Sequence, residues 1–150
     1  MLVNRLGWRL VLCLGLLGCG DASHGPSGVE GTVLVDSQPA PKGTVICFQH
    51  QTAPSENFTV VVEDEGNYKF RRPPGVSIEP GNYVVVVRPL NRTTTTGDHG
   101  LPVDVPIPGA PQSYGRYSSA DESDLHVELA EGAVQPFDIQ ISTMATAGSR

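Results

Sequence analysis

Apolar residues in the body of this 150-residue chain recur at every second position, and no other feature limits its fold as much. Val29, Gly31, Val33 and Val35 alternate with Glu30, Thr32 and Leu34. Ile46 and Phe48 share one side of a second stretch, with Val45 and Cys47 on the other. Phe58, Val60 and Val62 follow, then Tyr68 and Phe70. Leu125, Val127 and Leu129 alternate with His126 and Glu128, and Phe137, Ile139 and Ile141 with Asp138 and Gln140. A period of two sends successive side chains to opposite faces of a strand. No eleven-residue window after the first eighteen residues has helical spacing. A sheet with one apolar face must cover it, and a second sheet can do so. The expectation is an all-β fold, a single antiparallel β-sandwich of about seven strands over residues 29–142. Tyr83, Val85 and Val87 back onto Val84 and Val86, so that strand is expected at the centre of its sheet. Asp36-Ser37-Gln38-Pro39, Glu63 to Asn67 and Glu131-Gly132 read as turns.

The first eighteen residues have a different logic. Arg5 and Arg9 precede the apolar run Leu10 to Leu17, followed by small Gly18. This is the layout of a secretory signal, and the run is too short to span a bilayer, which takes about 20 apolar residues. Leu16-Leu17-Gly18-Cys19 resembles the lipobox of bacterial lipoproteins. That resemblance implies cleavage before Cys19, a diacylglyceryl thioether on its sulfur and an acyl chain on its new amino group. Two or more acyl chains hold a protein firmly to a membrane without spanning it. Gly20, where an Asp would favour inner-membrane retention, points to the outer membrane, facing the periplasm or the surface. Residues 19–28 then form a Gly-rich tether with a reach of roughly 15–18 Å. Residues 143–150 are expected to be a disordered tail.

Charge narrows the partners. Arg5 and Arg9 leave with the leader, so the rest is more acidic than the whole chain's formal net charge of −6. No basic patch is present, which argues against nucleic acid. Cys13 is removed and Cys19 lipidated, so Cys47 has no disulfide partner and reads as a small buried strand residue. His24, His50, His99 and His126 stand at no metal-ligand spacing and read as surface residues. The acidic runs Glu63-Asp64-Glu65 and Asp121-Glu122 with Asp124 read as solvated turns, lacking the spacing of a calcium loop. Ser118 and Ser119 lack a Gly-x-Ser-x-Gly elbow. The sequence therefore offers no catalytic residues, no metal ligands and no cofactor site.

One segment breaks the rhythm. Pro89 to Ser119 shows no sustained strand pattern, although Val103, Val105 and Ile107 alternate briefly as a short proline-limited edge strand would. Irregular segments this long are commonly functional or disordered. The candidate binding residues all lie here: Thr93, Thr94, Thr95, Thr96, Asp98, His99, Tyr114, Arg116 and Tyr117.

The order of pieces is also informative. Val29-Glu30-Gly31-Thr32-Val33 leads to Asp36, Pro39 and Gly43, then Val45 and Phe48. Asp64-Glu65-Gly66-Asn67-Tyr68 and Pro80-Gly81-Asn82-Tyr83-Val84-Val85 follow. Tyr114 or Tyr117, a Ser, Leu125, Val127, Glu131-Gly132 and a Phe-x-Ile strand close the chain. This resembles the carboxypeptidase regulatory-like or transthyretin-like β-sandwich of small bacterial lipoproteins. The resemblance implies a fold and an envelope location, with no assigned activity. A purine-pathway hydrolase on the transthyretin fold uses two His, an Arg and a C-terminal Tyr-Arg-Gly-Ser. Here the chain ends Ala147-Gly148-Ser149-Arg150, and Tyr114-Gly115-Arg116-Tyr117 is only superficially alike. The leading expectation is a lipid-anchored, non-enzymatic interaction or structural module that contacts an unknown envelope protein through the 89–119 loop. A second reading is carbohydrate or envelope-polymer binding, with Tyr114 and Tyr117 stacking on sugars. A third is a hydrolase on this fold.

Overall fold

The first strand, β1 (Gly28–Val35), takes partners along both edges and organises the rest. The computed structural model describes residues 28–143 apart from 74, 98 and 133. The lipobox expected at Cys19, the tether expected before Gly28, the candidate Asp98 and the tail expected after Thr143 lie outside the described residues. After β1 come β2 (Gln38–Pro39), β3 (Val45–His50), β4 (Phe58–Val61), β5 (Asn67–Arg71) and β6 (Gly81–Arg88). Then follow β7 (Arg92–Thr96), β8 (Pro102–Pro106), β9 (His126–Leu129), β10 (Gln135–Pro136) and β11 (Ile139–Ile141). The described residues hold no α-helix, only short 3-10 turns such as Gly115–Ser118.

Two sheets form a sandwich. One is fully antiparallel, in the order β4-β3-β6-β9. Its β6 has strands on both sides and buries Tyr83, Val85 and Val87 on one face and Val86 on the other, as its two-sided apolar pattern requires. The other sheet is built on β1, with β2 and β5 antiparallel to it. Ile46, Phe48, Phe58, Val60, Val127 and Leu129 of the first sheet face Val29, Val33, Tyr68, Ile139 and Ile141 of the second. Burying one such side chain stabilises the fold by about 1.5–3 kcal/mol. Phe48 stacks on Phe58 at 4.6 Å between ring centroids and meets Tyr68 across the sandwich at 6.3 Å.

The expectation of a wholly antiparallel sandwich needs one correction. Residues 135–141 run parallel to β1 in constant register, from Val29 opposite Gln135 to Val35 opposite Ile141. Their neighbour in sequence, β9, belongs to the other sheet. Alternation shows that both strands have a core-facing side. It is silent on which sheet supplies the partner and in which direction.

The parallel ladder lapses at Phe137 and Asp138, between β10 and β11, and the gap is filled locally. Phe137 donates its N–H to Glu30 O at 2.8 Å, and its carbonyl accepts from the Tyr68 hydroxyl at 2.5 Å. That carbonyl passes so close to β1 that a Cβ on Gly31 would lie 2.1 Å from it, so only glycine fits. The Asp138 carboxylate accepts from both the backbone N–H and the hydroxyl of Thr32, each at 2.8 Å.

The sandwich has two distinct ends. The chain enters β1 at Gly28, opposite Arg71, with Arg72 and Glu56 paired nearby at 3.8 Å. At the far end β1 turns through Asp36 and Ser37, both at positive φ as a two-residue hairpin of type I′ demands. Ala40 N–H binds Val33 O there, Gly43 N–H binds Val62 O, and Leu90 lies against Gly43. The segment after β6 therefore leaves at the end opposite Gly28, about 23 Å away along β1.

Candidate functional site

The segment from Pro89 to Ser119 divides into an exposed ribbon and a buried root. Four β-branched threonines favour extended backbone, and β7 pairs antiparallel with β8, from Arg92 opposite Pro106 to Thr96 opposite Pro102. Gly97 and Gly100 close the tip, with Gly97 N–H bonded to Leu101 O at 2.9 Å and Gly100 N–H to Gly97 O at 3.0 Å. This ribbon corrects the expectation of a loop with at most one short edge strand. Its threonines gave no apolar alternation, so β7 was invisible to hydrophobic periodicity, whereas Val103 and Val105 did mark β8.

Pairing gives the ribbon two faces. Thr93, Thr95, Val103 and Val105 lie on one; Arg92, Thr94, Thr96, Pro102, Asp104 and Pro106 lie on the other. On the second face Thr94 donates its hydroxyl to Asp104 Oδ1 at 2.8 Å. The Arg92 guanidinium donates to the Asp104 carbonyl at 3.0 Å. Every residue of β7 is exposed, as are Leu101 and Val103. His99 is exposed at the tip. Arg92 and Asp104 were not among the sequence candidates, because neither acquires a role until the two strands are paired.

The root holds the other candidates and reverses the expectation for two of them. Tyr114 and Tyr117 are buried at 3% and 6% exposure, so neither ring is free to stack on a sugar. The Tyr114 hydroxyl lies 3.4 Å from that of buried Thr44. Ser118 donates its hydroxyl to Val87 O at 3.1 Å and accepts from Tyr114 N–H at 2.8 Å. Arg116 is exposed yet engaged: it lies 4.9 Å from the Tyr117 ring centroid and pairs with Asp124 at 3.0 Å. Two aromatics in a polar, proline-rich stretch look solvent-facing in sequence. Only the tertiary fold shows that β6 and Thr44 offer them a pocket. Between root and ribbon a polar cleft of about 270 Å³ is lined by Arg88, Pro89, Asn91, Gln112 and Ser118.

Several other polar residues bond within the scaffold. His50 is buried, contrary to the surface position expected for it. Its Nδ1 accepts from the backbone N–H groups of Thr52 at 3.2 Å and Ala53 at 3.0 Å, which leaves Nε2 to donate to Pro80 O at 3.3 Å. Cys47 is half-buried on β3, short of the full burial expected, and accepts weakly from the Thr59 hydroxyl. Asp64 of the first acidic turn pairs with Lys42 at 3.0 Å. Among the described residues, no three His, Cys, Asp or Glu side chains are grouped so as to hold a metal ion. Burial pushes the Tyr83 phenol up to about 12, with Glu56 and Glu79 adding to the effect. Tyr68 is raised further, again chiefly by burial.

No family model matches the sequence, and no curated protein matches it. Among solved structures, the major pilin subunit of Bacillus cereus is similar over 79% of this chain and 30% of its own length, at 14% identity and a TM-score of 0.40. Catechol 1,2-dioxygenase from Acinetobacter sp. ADP1 is similar over 83% of this chain and 54% of its own, at 13% identity and a TM-score of 0.38. The dioxygenase domain of a dioxygenase carbohydrate-binding protein fusion from Streptomyces sp. SirexAA-E aligns with 81% of this chain and 83% of its own, at 14% identity and a TM-score of 0.33.

Proposed function

We propose that this chain is a lipid-anchored protein of the bacterial cell envelope, a non-enzymatic interaction module whose contact element is the β7–β8 ribbon. One observation carries the reading. The ribbon is exposed on β7 throughout and leaves the sandwich at the end opposite Gly28. A lipid on Cys19, joined to Gly28 by the short tether, would sit at one end of the domain and hold the ribbon away from the membrane. Binding elements carried on a rigid scaffold are a common arrangement. The buried Tyr114 and Tyr117 fix the ribbon's base and remove the stacking platform that a carbohydrate-binding reading needs.

The fold itself supplies a clean test. Ile107 N–H bonds to Asn91 O at 2.9 Å, so the chain ends left by removing residues 92–106 already face each other. An Asn-Gly turn can join them. The full chain and this variant are cross-linked in living cells and recovered from detergent-solubilised membranes. A partner captured by the full chain and lost from the variant, with both folded alike, is the expected result. Identical capture by both would refute the ribbon assignment. Growth with a labelled fatty acid is expected to mark the full chain and not a Cys19→Ser chain, and an unlabelled full chain would refute the anchor.

A further inference from the structure

The two outer edges of the ribbon are unlike. In an antiparallel pair, residues that bond across the pair alternate with residues whose N–H and C=O point away from it. Gly97 N–H bonds to Leu101 O and Ile107 N–H to Asn91 O, each at 2.9 Å, which makes Asn91, Thr93, Thr95 and Gly97 the inward-bonding residues. Arg92, Thr94 and Thr96 therefore aim their backbone groups outward on β7, and Pro106, Asp104 and Pro102 do so on β8. The β8 edge is blocked. Its two prolines have no N–H to offer, and the Asp104 carbonyl is already taken by Arg92 at 3.0 Å. Prolines on an edge strand prevent further pairing. On the β7 edge nothing intervenes: among the described residues, Arg92, Thr94 and Thr96 have no backbone partner beyond the ribbon.

We propose that β7 pairs with β7 of a second copy of this chain, antiparallel about a two-fold axis at Thr94. This inference rests on the ribbon being the contact element. In that register Thr94 faces Thr94 of the second copy, Thr93 faces Thr95, and Arg92 faces Thr96. The outward-pointing residues of each copy meet as bonded pairs, so all three pairs exchange N–H and C=O. Facing threonines are favourable cross-strand neighbours. The strand itself carries no repulsion: β7 holds one arginine and no acid, and no like charges face each other across the axis. Because each copy has one open edge and one blocked edge, the assembly closes as a dimer and does not grow into a filament. A five-residue strand buries far less than the roughly 1,200 Å² of a standard interface. Pairing is thus weak in dilute solution and strengthens with the local concentration of the chain.

Disulfide trapping in membranes reads the register. The full chain carries Cys47→Ser and is oxidised with copper phenanthroline. Thr94→Cys places two thiols on a bonded pair, about 5.5 Å apart at Cα and within the roughly 4.4–6.8 Å that a disulfide accepts. Thr96→Cys places them about 14 Å apart. A disulfide dimer at Thr94→Cys is expected, several-fold weaker at Thr96→Cys and regained when Arg92→Cys is added to it. Thr96→Pro added to Thr94→Cys removes an outward N–H without touching the ribbon's own ladder, and is expected to lower the yield several-fold. Equal trapping at both positions, no dimer at either, or indifference to Thr96→Pro would overturn the proposal. Absence of the dimer while the ribbon still captures another protein would overturn self-pairing and leave the proposed function standing. Absence of the dimer with capture unaffected by ribbon removal would sink both.

Discussion

Tyr114 and Thr44, seventy residues apart in the chain, meet hydroxyl to hydroxyl at 3.4 Å inside the core. One belongs to the root of the exposed ribbon, the other to the entrance of β3. Their contact ties the root of the exposed ribbon to the core of the sandwich. The orientation of the ribbon therefore depends on core packing.

Truncating that anchor separates packing from hydrogen bonding. Tyr114→Ala leaves a cavity against Thr44 and should cost about 3–5 kcal/mol in denaturant unfolding. Tyr114→Phe keeps the ring and should cost about 0.5–1.5 kcal/mol. Equal costs for the two variants would contradict the burial of the ring.

Alkali should unfold the protein through its tyrosines. Burial raises the Tyr83 phenol from 10.0 to about 12, and its hydroxyl donates to Glu79 O at 2.7 Å. A group whose folded pKa is raised lends stability that is complete below its unfolded value and is lost as pH rises through the folded one. The loss should thus fall between about pH 10 and pH 12, with buried Tyr68 acting in the same direction. Denaturant midpoints measured from pH 8 upward should decline more gently in Tyr83→Phe. A slope unchanged by that substitution would show that the phenol is not held neutral by the fold.

Asp138 governs the acid side. Accepting both Thr32 donors holds its carboxyl below the usual carboxylate range. A depressed folded pKa gives stability present above the unfolded value, near 3.9, and lost as pH falls through the folded one. Asp138→Ala should cost about 1 kcal/mol at neutral pH, modest because the site is exposed. It should also flatten the stability profile below pH 4. A profile that keeps its acid slope in this variant would move the effect to another carboxylate.

The sandwich was legible in sequence wherever burial is one-sided and the partner is apolar. β6 announced its central place by being apolar on both faces, and the stretches at 125–129 and 137–141 announced their inward sides. Pairing direction was not legible, because Ile139 and Ile141 fit a parallel or an antiparallel neighbour equally well. β7 was hidden because Thr93 to Thr96 carry no contrast between their faces. Tyr114, Tyr117 and His50 were misplaced for a common reason. Each sits in a polar neighbourhood of the chain and is buried by residues far away in sequence: Thr44 and β6 for the tyrosines, Pro80 for the histidine.

The parallel docking of residues 135–141 on β1 joins segments far apart in the chain. Until Ile139 and Ile141 arrive, β1 offers a bare edge beside Val33 and Val35. A chain clipped or arrested before Ile139 would retain that edge and the aggregation it invites. Residues 139–141 thus protect the domain as well as complete it: they cover an edge that β1 would otherwise present.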